Sequence, residues 1–192
     1  MVQVAEEALE EGMVAMAPGV RLSEVGKVIE RTIKRAGYKP IENLTGHLLS
    51  RYVLHAGKSV PNVGKAKEKG VVRAGEVYAI EPFVTLPSAK GWVIEGGQAF
   101  IYRAIKPKTK EKKYKKLMEA VRKFKGLPFS GRWLVKPFGE DFVKSGLNAL
   151  VKEGSLMAYP VLIEKSKKVV AQVEATIYVG ENSNVILTPL LA

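Results

Sequence analysis

From Val2 to Ala15 the chain reads as one amphipathic helix, closed by the turn Ala17-Pro18-Gly19. A second helix follows almost at once. Leu22, Val25, Ile29, Ile33 and Ala36 recur at steps of three and four residues and lay a single apolar stripe along it. Gly37 supplies a left-handed C-terminal cap, and Lys34 and Arg35 fall in the last turn, where the helix dipole favours positive charge. Beyond Gly37 the period changes. The stretches His47 to His55, Val77 to Thr85, Trp92 to Ala104, Pro160 to Ile163, Val169 to Val179 and Val185 to Leu187 are rich in β-branched and aromatic residues and are predicted as strands. Asn182-Ser183-Asn184 makes a turn between the last two.

Between Lys106 and Tyr159 the texture differs again. Lys110 to Lys125 is a strongly polar helix, and Asp141 to Lys152 is another, with Phe142, Leu147, Leu150 and Val151 as its apolar side. Gly126-Leu127-Pro128-Phe129 and Lys136-Pro137-Phe138-Gly139 bracket a short linker between them, so residues 106–159 read as a helical insertion between residues 1–105 and 160–192. No internal repeat is visible.

At 192 residues with 46% apolar side chains, the chain is long enough to bury a substantial core. No apolar run is long enough to cross a bilayer, and the N-terminus is too acidic and amphipathic for a signal peptide, so a soluble, cytoplasmic protein with no membrane association is expected. Zero cysteines exclude disulfides and thiolate metal sites. The net charge of +12 is unevenly spread: between Arg103 and Lys125, eleven basic residues stand against Glu111 and Glu119, a surplus of +9. Such a segment suits a polyanion, ribosomal RNA included, through counterion release, or else is a solvated helix face. The solvated face is the preferred reading, because only Tyr114 and Phe124 alternate with the charges.

The candidate chemistry rests on few residues. The only histidines, His47 and His55, fall in one phrase, Gly46-His47-Leu48-Leu49-Ser50-Arg51-Tyr52-Val53-Leu54-His55-Ala56. Glu81 lies inside the apolar run Val77-Tyr78-Ala79-Ile80-Glu81-Pro82-Phe83, and Glu174 inside Val169 to Ile177. A carboxylate buried without a partner costs several kcal/mol or more, so each needs a cation, a donor, or exposure on the other strand face. Alternation alone leaves that choice open.

Three strings weigh on that choice by resemblance: Asn43-Leu44-Thr45-Gly46-His47 through Val60-Pro61-Asn62, Gly75-Glu76-Val77-Tyr78-Ala79-Ile80-Glu81-Pro82-Phe83, and Ala171-Gln172-Val173-Glu174. In order and spacing they resemble type 2 methionine aminopeptidases, metallopeptidases of the M24 family, of an archaeal-like kind. The resemblance implies an α/β (α+β) fold, the C-terminal half of a pita-bread fold with an inserted helical, winged-helix-like subdomain. It also implies His47 and Glu81 as metal ligands, Glu174 as the carboxylate bridging two metals, and a proton-transfer role for Glu81. His55 resembles a histidine that contacts the substrate carbonyl, and Leu54 and Tyr159 resemble residues lining a methionine pocket. The implied cofactors are divalent ions, two in the complete site, with Co, Mn, Fe and Zn all compatible with imidazole and carboxylate.

The departures are informative. The family usually carries His after the bridging glutamate and Phe before it, where this sequence has Ala175 and Val173. Two aspartate ligands and a further substrate-contacting histidine belong to an N-terminal half of the family's domain, and the only aspartate here is Asp141, inside the insertion. Three donors hold at most one ion weakly. The expectation is therefore one part of an enzyme that removes the initiator methionine from nascent chains, its N-terminal half encoded separately or missing from this sequence, and the lone chain inactive or weak. A non-catalytic relative that binds ribosome or RNA, and a homodimer pairing two copies of this half, are the competing expectations.

Overall fold

The computed structural model describes residues 1–188. Two compact units make up the chain: Met1–Ile94 together with the chain from Ile163 onward, and Glu95–Leu162. In the first, α1 (Val2–Ala15) and α2 (Leu22–Arg35) pack against each other, as their periodicity requires. The end of α2 is capped as expected: Gly37 takes φ 79, and its N–H and that of Tyr38 bond back to Lys34 and Ile33 carbonyls.

The strands of this unit are β1 (Lys39–Pro40), β2 (Thr45–Leu49), β3 (Ser59–Pro61), β4 (Val77–Ile80), β5 (Phe83–Thr85) and the start of β6 (Val93–Ala104). After the second unit the chain returns through β8 (Leu156–Glu164) to β9 (Val170–Gln172), β10 (Ala175–Val179) and β11 (Asn184–Ile186). Five of them form an antiparallel sheet in the order β11-β10-β4-β2-β3, and three form a second one, β1-β5-β9.

Alternation divides the larger sheet cleanly. Val60, Tyr78, Ile80, Ala175, Ile177 and Val179 are all buried and join the core made with Leu9, Leu22, Val25, Ile29 and Ile33 of the two helices. Each Val, Leu or Ile among them withdrawn from water contributes about 1.5–3 kcal/mol. The opposite face carries the register row His47, Ala79 and Thr176 across β2, β4 and β10. His47 thus lies on the face turned away from the helices.

In two places the run of β-branched residues reads as one strand and is two. Val77 to Thr85 is β4 and β5, broken at Glu81 and Pro82; Val169 to Val179 is β9 and β10, broken at Val173 and Glu174. The breaks face each other: the ladder with β10 stops at Ile80 paired with Ala175, and the ladder with β9 resumes at Phe83 paired with Gln172. Pro82, which has no N–H to donate, is the local cause.

The unit Glu95–Leu162 has its own core, built from Tyr114, Leu117, Met118 and Val121 against Phe129, Leu134, Val143, Leu147 and Leu150. The expected helix Lys110 to Lys125 is shorter: a 3-10 turn, Lys112–Tyr114, leads into α3 (Lys115–Arg122). The segment read as a linker is ordered as well. It contains β7 (Phe129–Ser130), a 3-10 turn Gly131–Leu134 and α4 (Val135–Phe138) before α5 (Glu140–Lys152). Strands β7, β6 and β8 form a three-stranded sheet in that order; β6 and the end of β8 fall on stretches predicted as strands, while the lysine-rich surroundings hid β7.

Glu164, at the end of β8, is 3% exposed and closes the loop that follows. Its carboxylate accepts hydrogen bonds from the N–H groups of Gly91, Ser166 and Lys168 and from the Ser166 hydroxyl. Burial alone would raise its pKa, but these four donors outweigh burial and bring it down to about 2 from the ordinary 4.5. Because the folded value is the lower one, this carboxylate stabilises the fold above about pH 4.5 and loses that contribution as pH falls toward about 2. Denaturant midpoints measured across that window should fall for the wild type and change less for Glu164→Gln. Equal slopes for both proteins would contradict the assignment.

Candidate metal centre

The facing strand breaks put two carboxylates on the open side of the larger sheet, beside the row that contains His47. His47 Nε2 lies 3.3 Å from Glu81 Oε1, with both side chains largely buried. The Nδ1 atom of His47 is buried and has no hydrogen-bond partner among the described residues, so Glu81 and packing hold the ring. Part of that packing is His55, whose ring meets His47 edge-on, the centroids 4.4 Å apart and the planes at 84°.

The strand expected from His47 to His55 ends at Leu49. Ser50 and Val53 exchange backbone hydrogen bonds around a two-residue turn, Arg51-Tyr52, with Tyr52 in the left-handed region at φ 60. This turn brings the chain back, so that Ala56 N–H bonds to Leu48 O and His55 reaches the ring of the earlier histidine. Leu54, beside His55, is half-buried.

Glu174 lies near enough to feel both partners. The residue is exposed as a whole, yet partial desolvation raises its carboxyl above the usual range, and the charge of Glu81 adds to that rise, while His47 and a hydrogen bond involving Gln172 oppose it. Gln172 also donates to Glu81 Oε2 at 3.4 Å. Tyr159 sits on β8, half-buried, within the unit Glu95–Leu162.

The donors fit a divalent ion in kind, being imidazole nitrogen and carboxylate oxygen from three separate strand segments. In number they fall short. Among the described residues no group of three or more His, Asp or Glu side chains is arranged to hold a metal ion. His47 and Glu81 stand in contact, with Glu174 coupled to them through its charge.

Sequence reading passed over the residue that organises this corner. Asn62 is fully buried; its amide donates to Leu44 O at 2.8 Å and to Glu81 O at 3.1 Å, and its oxygen accepts from Phe83 N–H at 3.2 Å. It clamps the peptide groups on both sides of the β4–β5 break. The signal was present as a lone amide within the apolar stretch Val60-Pro61-Asn62-Val63.

The sequence matches metallopeptidase family M24 over residues 1–181. The chain belongs to that family. Among curated relatives of this M24 chain, methionine aminopeptidases from Saccharolobus solfataricus and Archaeoglobus fulgidus are 40% and 42% identical, across 100% and 98% of this chain respectively. The chain spans 64% and 62% of the length of those two relatives. In fold, it is similar to the structure of a thermophilic Arx1, with TM-score 0.79, 21% identity and coverage of 96% of this chain and 56% of that one. A methionine aminopeptidase from Thermotoga maritima superposes with TM-score 0.58 at 22% identity over 97% of this chain and 50% of its own. The M24 pita-bread architecture is therefore that of the chain. No helix among the described residues is long and apolar enough to cross a membrane.

Proposed function

We propose that this M24 chain is the C-terminal part of a metal-dependent methionine aminopeptidase of the type 2 kind, acting on the initiator methionine of nascent chains in the cytoplasm. The observation that carries the proposal is the contact of His47 Nε2 with Glu81 Oε1 at 3.3 Å, flanked by His55 and Glu174, on the sheet face turned away from the core. Curated relatives from two organisms that align with 98–100% of the chain are methionine aminopeptidases, which supports the choice of reaction. In this reading His47, Glu81 and Glu174 would be this chain's donors to divalent metal, and an N-terminal half would supply the remaining ones. A bound divalent pair, Co, Mn, Fe or Zn, supplies Lewis acidity and a nucleophile at neutral pH.

The protein's own groups do the rest. Glu81 accepts and returns a proton, a task suited to a carboxylate held against an imidazole. His55, exposed on its loop with one side against His47, offers a donor to the substrate carbonyl as charge develops there. Leu54 lines the thioether pocket in this proposal, and residues 106–159 form the insertion that marks the type 2 kind. With added Co²⁺ or Mn²⁺, the chain alone should release no methionine from a Met-Ala-Ser peptide, and should do so once an N-terminal half is supplied. Glu81→Gln in the assembled protein should then lower kcat by about 100-fold or more. Robust release by the lone chain would sink the reliance on missing donors.

A second reading draws on the surplus of +9 between Arg103 and Lys125: a non-catalytic member of the family that contacts ribosome or RNA through that segment. Its binding to ribosomal RNA should weaken steeply between about 50 and about 200 mM salt, and salt-independent binding would remove it.

A further inference from the structure

The unit Glu95–Leu162 contains an open cavity of about 1010 Å³, at the upper end of the size range of ligand sites. Its floor is aliphatic: Val143 and Leu147 of α5 are buried there, with Val135 and Val151 half-buried beside them. Phe100 and Trp133 line it while remaining 59% and 55% exposed. Large apolar groups left in water around a concave apolar floor mark an interaction site. Around them stand Arg132 and Lys144, both exposed, against a single carboxylate, Glu140; Gln98 and Asn148 contribute amides able to bond a peptide backbone.

The charge of the unit chooses among occupants. Between Glu95 and Leu162, fifteen Lys or Arg face six Asp or Glu, so this unit carries +9 of the chain's +12. That surplus lies in residues 103–125, outside the lining, where Arg132 and Lys144 stand against Glu140; a positive field on the unit that bears the groove concentrates negatively charged partners and raises their rate of encounter, and the two lining cations receive them. An aliphatic floor accepts Leu, Ile or Phe side chains and offers nothing to a phosphate. Trp133 already packs against Phe124, ring centroids 5.7 Å apart at 41°, so its ring is partly engaged within the unit. Tryptophan and arginine side by side are the residue types that most often dominate the binding energy of a protein interface.

We propose that this groove docks an acidic peptide segment, which inserts bulky apolar side chains between Phe100, Trp133 and α5 and pairs its carboxylates with Arg132 and Lys144. The assignment is independent of the metal centre. The test is selection from a displayed library of random peptides of about twelve residues against the full chain, followed by fluorescence polarisation with the enriched sequence made synthetically. Enriched peptides should be acidic with at least two large apolar residues. Their affinity should fall about ten-fold or more for the Arg132→Glu, Lys144→Glu double variant and for Trp133→Ala, with circular dichroism unchanged. Arg132 and Lys144 are exposed, so their reversal tests recognition without disturbing the core. Failure to enrich, enrichment of uncharged or basic peptides, or binding indifferent to these substitutions would overturn the proposal. An oligouridylate that displaces the peptide and shows the same loss on the variants would overturn it in favour of nucleic acid.

Discussion

Replacing Gly46 by alanine is expected to destabilise the first unit by about 3 kcal/mol or more, because the added methyl has nowhere to go. A Cβ built on Gly46 falls 2.3 Å from Ala79 O and 3.1 Å from both Glu81 N and Ile80 Cα. All three are backbone atoms of β4 or the residue that follows it, so no rotamer change relieves the clash. Nor can β4 retreat, since β10 is paired with it on the other side through four registered residues, Val77 to Ile80. The strand that gives way is β2, which carries His47 one residue after Gly46. Gly46→Ala should therefore cost stability and also break the contact between His47 and Glu81. Urea denaturation followed by circular dichroism measures the first effect, and the imidazole resonances of the two histidines measure the second. Gly97→Ala is the matched control, with nothing within 4 Å of its added Cβ. If Gly46→Ala stayed within about 0.5 kcal/mol of the wild type, the close approach of β2 to β4 would not be a constraint on this fold.

That close approach was invisible in the sequence, whereas much else was legible. Helical periodicity alone predicts α1 at Val2 to Ala15, the boundaries found, because both helices lay a continuous apolar stripe on one sheet face and nothing tertiary interrupts them. The strands were legible in type and misread in extent. Val77 to Thr85 looks like one buried strand, since every residue within it except Glu81 and Pro82 fits an apolar sheet position. Pro82 was the available sign of a break, but a proline does not say that the strand is handed from one sheet to another. The same handover at Val173 and Glu174 carries no proline and no glycine, and only its pairing with the first break reveals it.

For the candidate site, the sequence named side chains and the structure supplied the reason they converge. Glu81 and Glu174 leave the regular alternation at the point where two ladders end together, and an acidic group there can turn toward His47 without a place in the core. The unit Glu95–Leu162 was harder to read. Its lysines dominate any periodicity, so the short strand β7 and helix α4 vanish into what looks like a linker, although Phe129 and Leu134 bury themselves in the core of that unit.

The second large effect is expected at Asn62. Asn62→Ala removes the donor for two carbonyls, Leu44 O and Glu81 O, and the acceptor for Phe83 N–H, in a place with no access to water. A buried polar group left without its partner costs about 1–3 kcal/mol, so three of them, after relaxation, imply a loss of roughly 3–5 kcal/mol. Asn62→Asp separates volume from hydrogen bonding: it keeps the acceptor for Phe83 N–H, but sets a carboxylate oxygen against the two carbonyls that had been served by the amide. It should therefore destabilise by a comparable amount despite its matching shape. A purely space-filling role predicts the reverse, with the aspartate variant close to wild type and only the alanine variant impaired. The site adds a second readout. Because Asn62 holds the Glu81 carbonyl, loosening that peptide should shift the His47 imidazole resonance in both variants, and a single His55→Asn substitution suffices to assign the signals of a chain with two histidines. Stability lost with the His47 signal unmoved would make Asn62 a clamp of the β4–β5 break alone, with no part in placing Glu81 against His47.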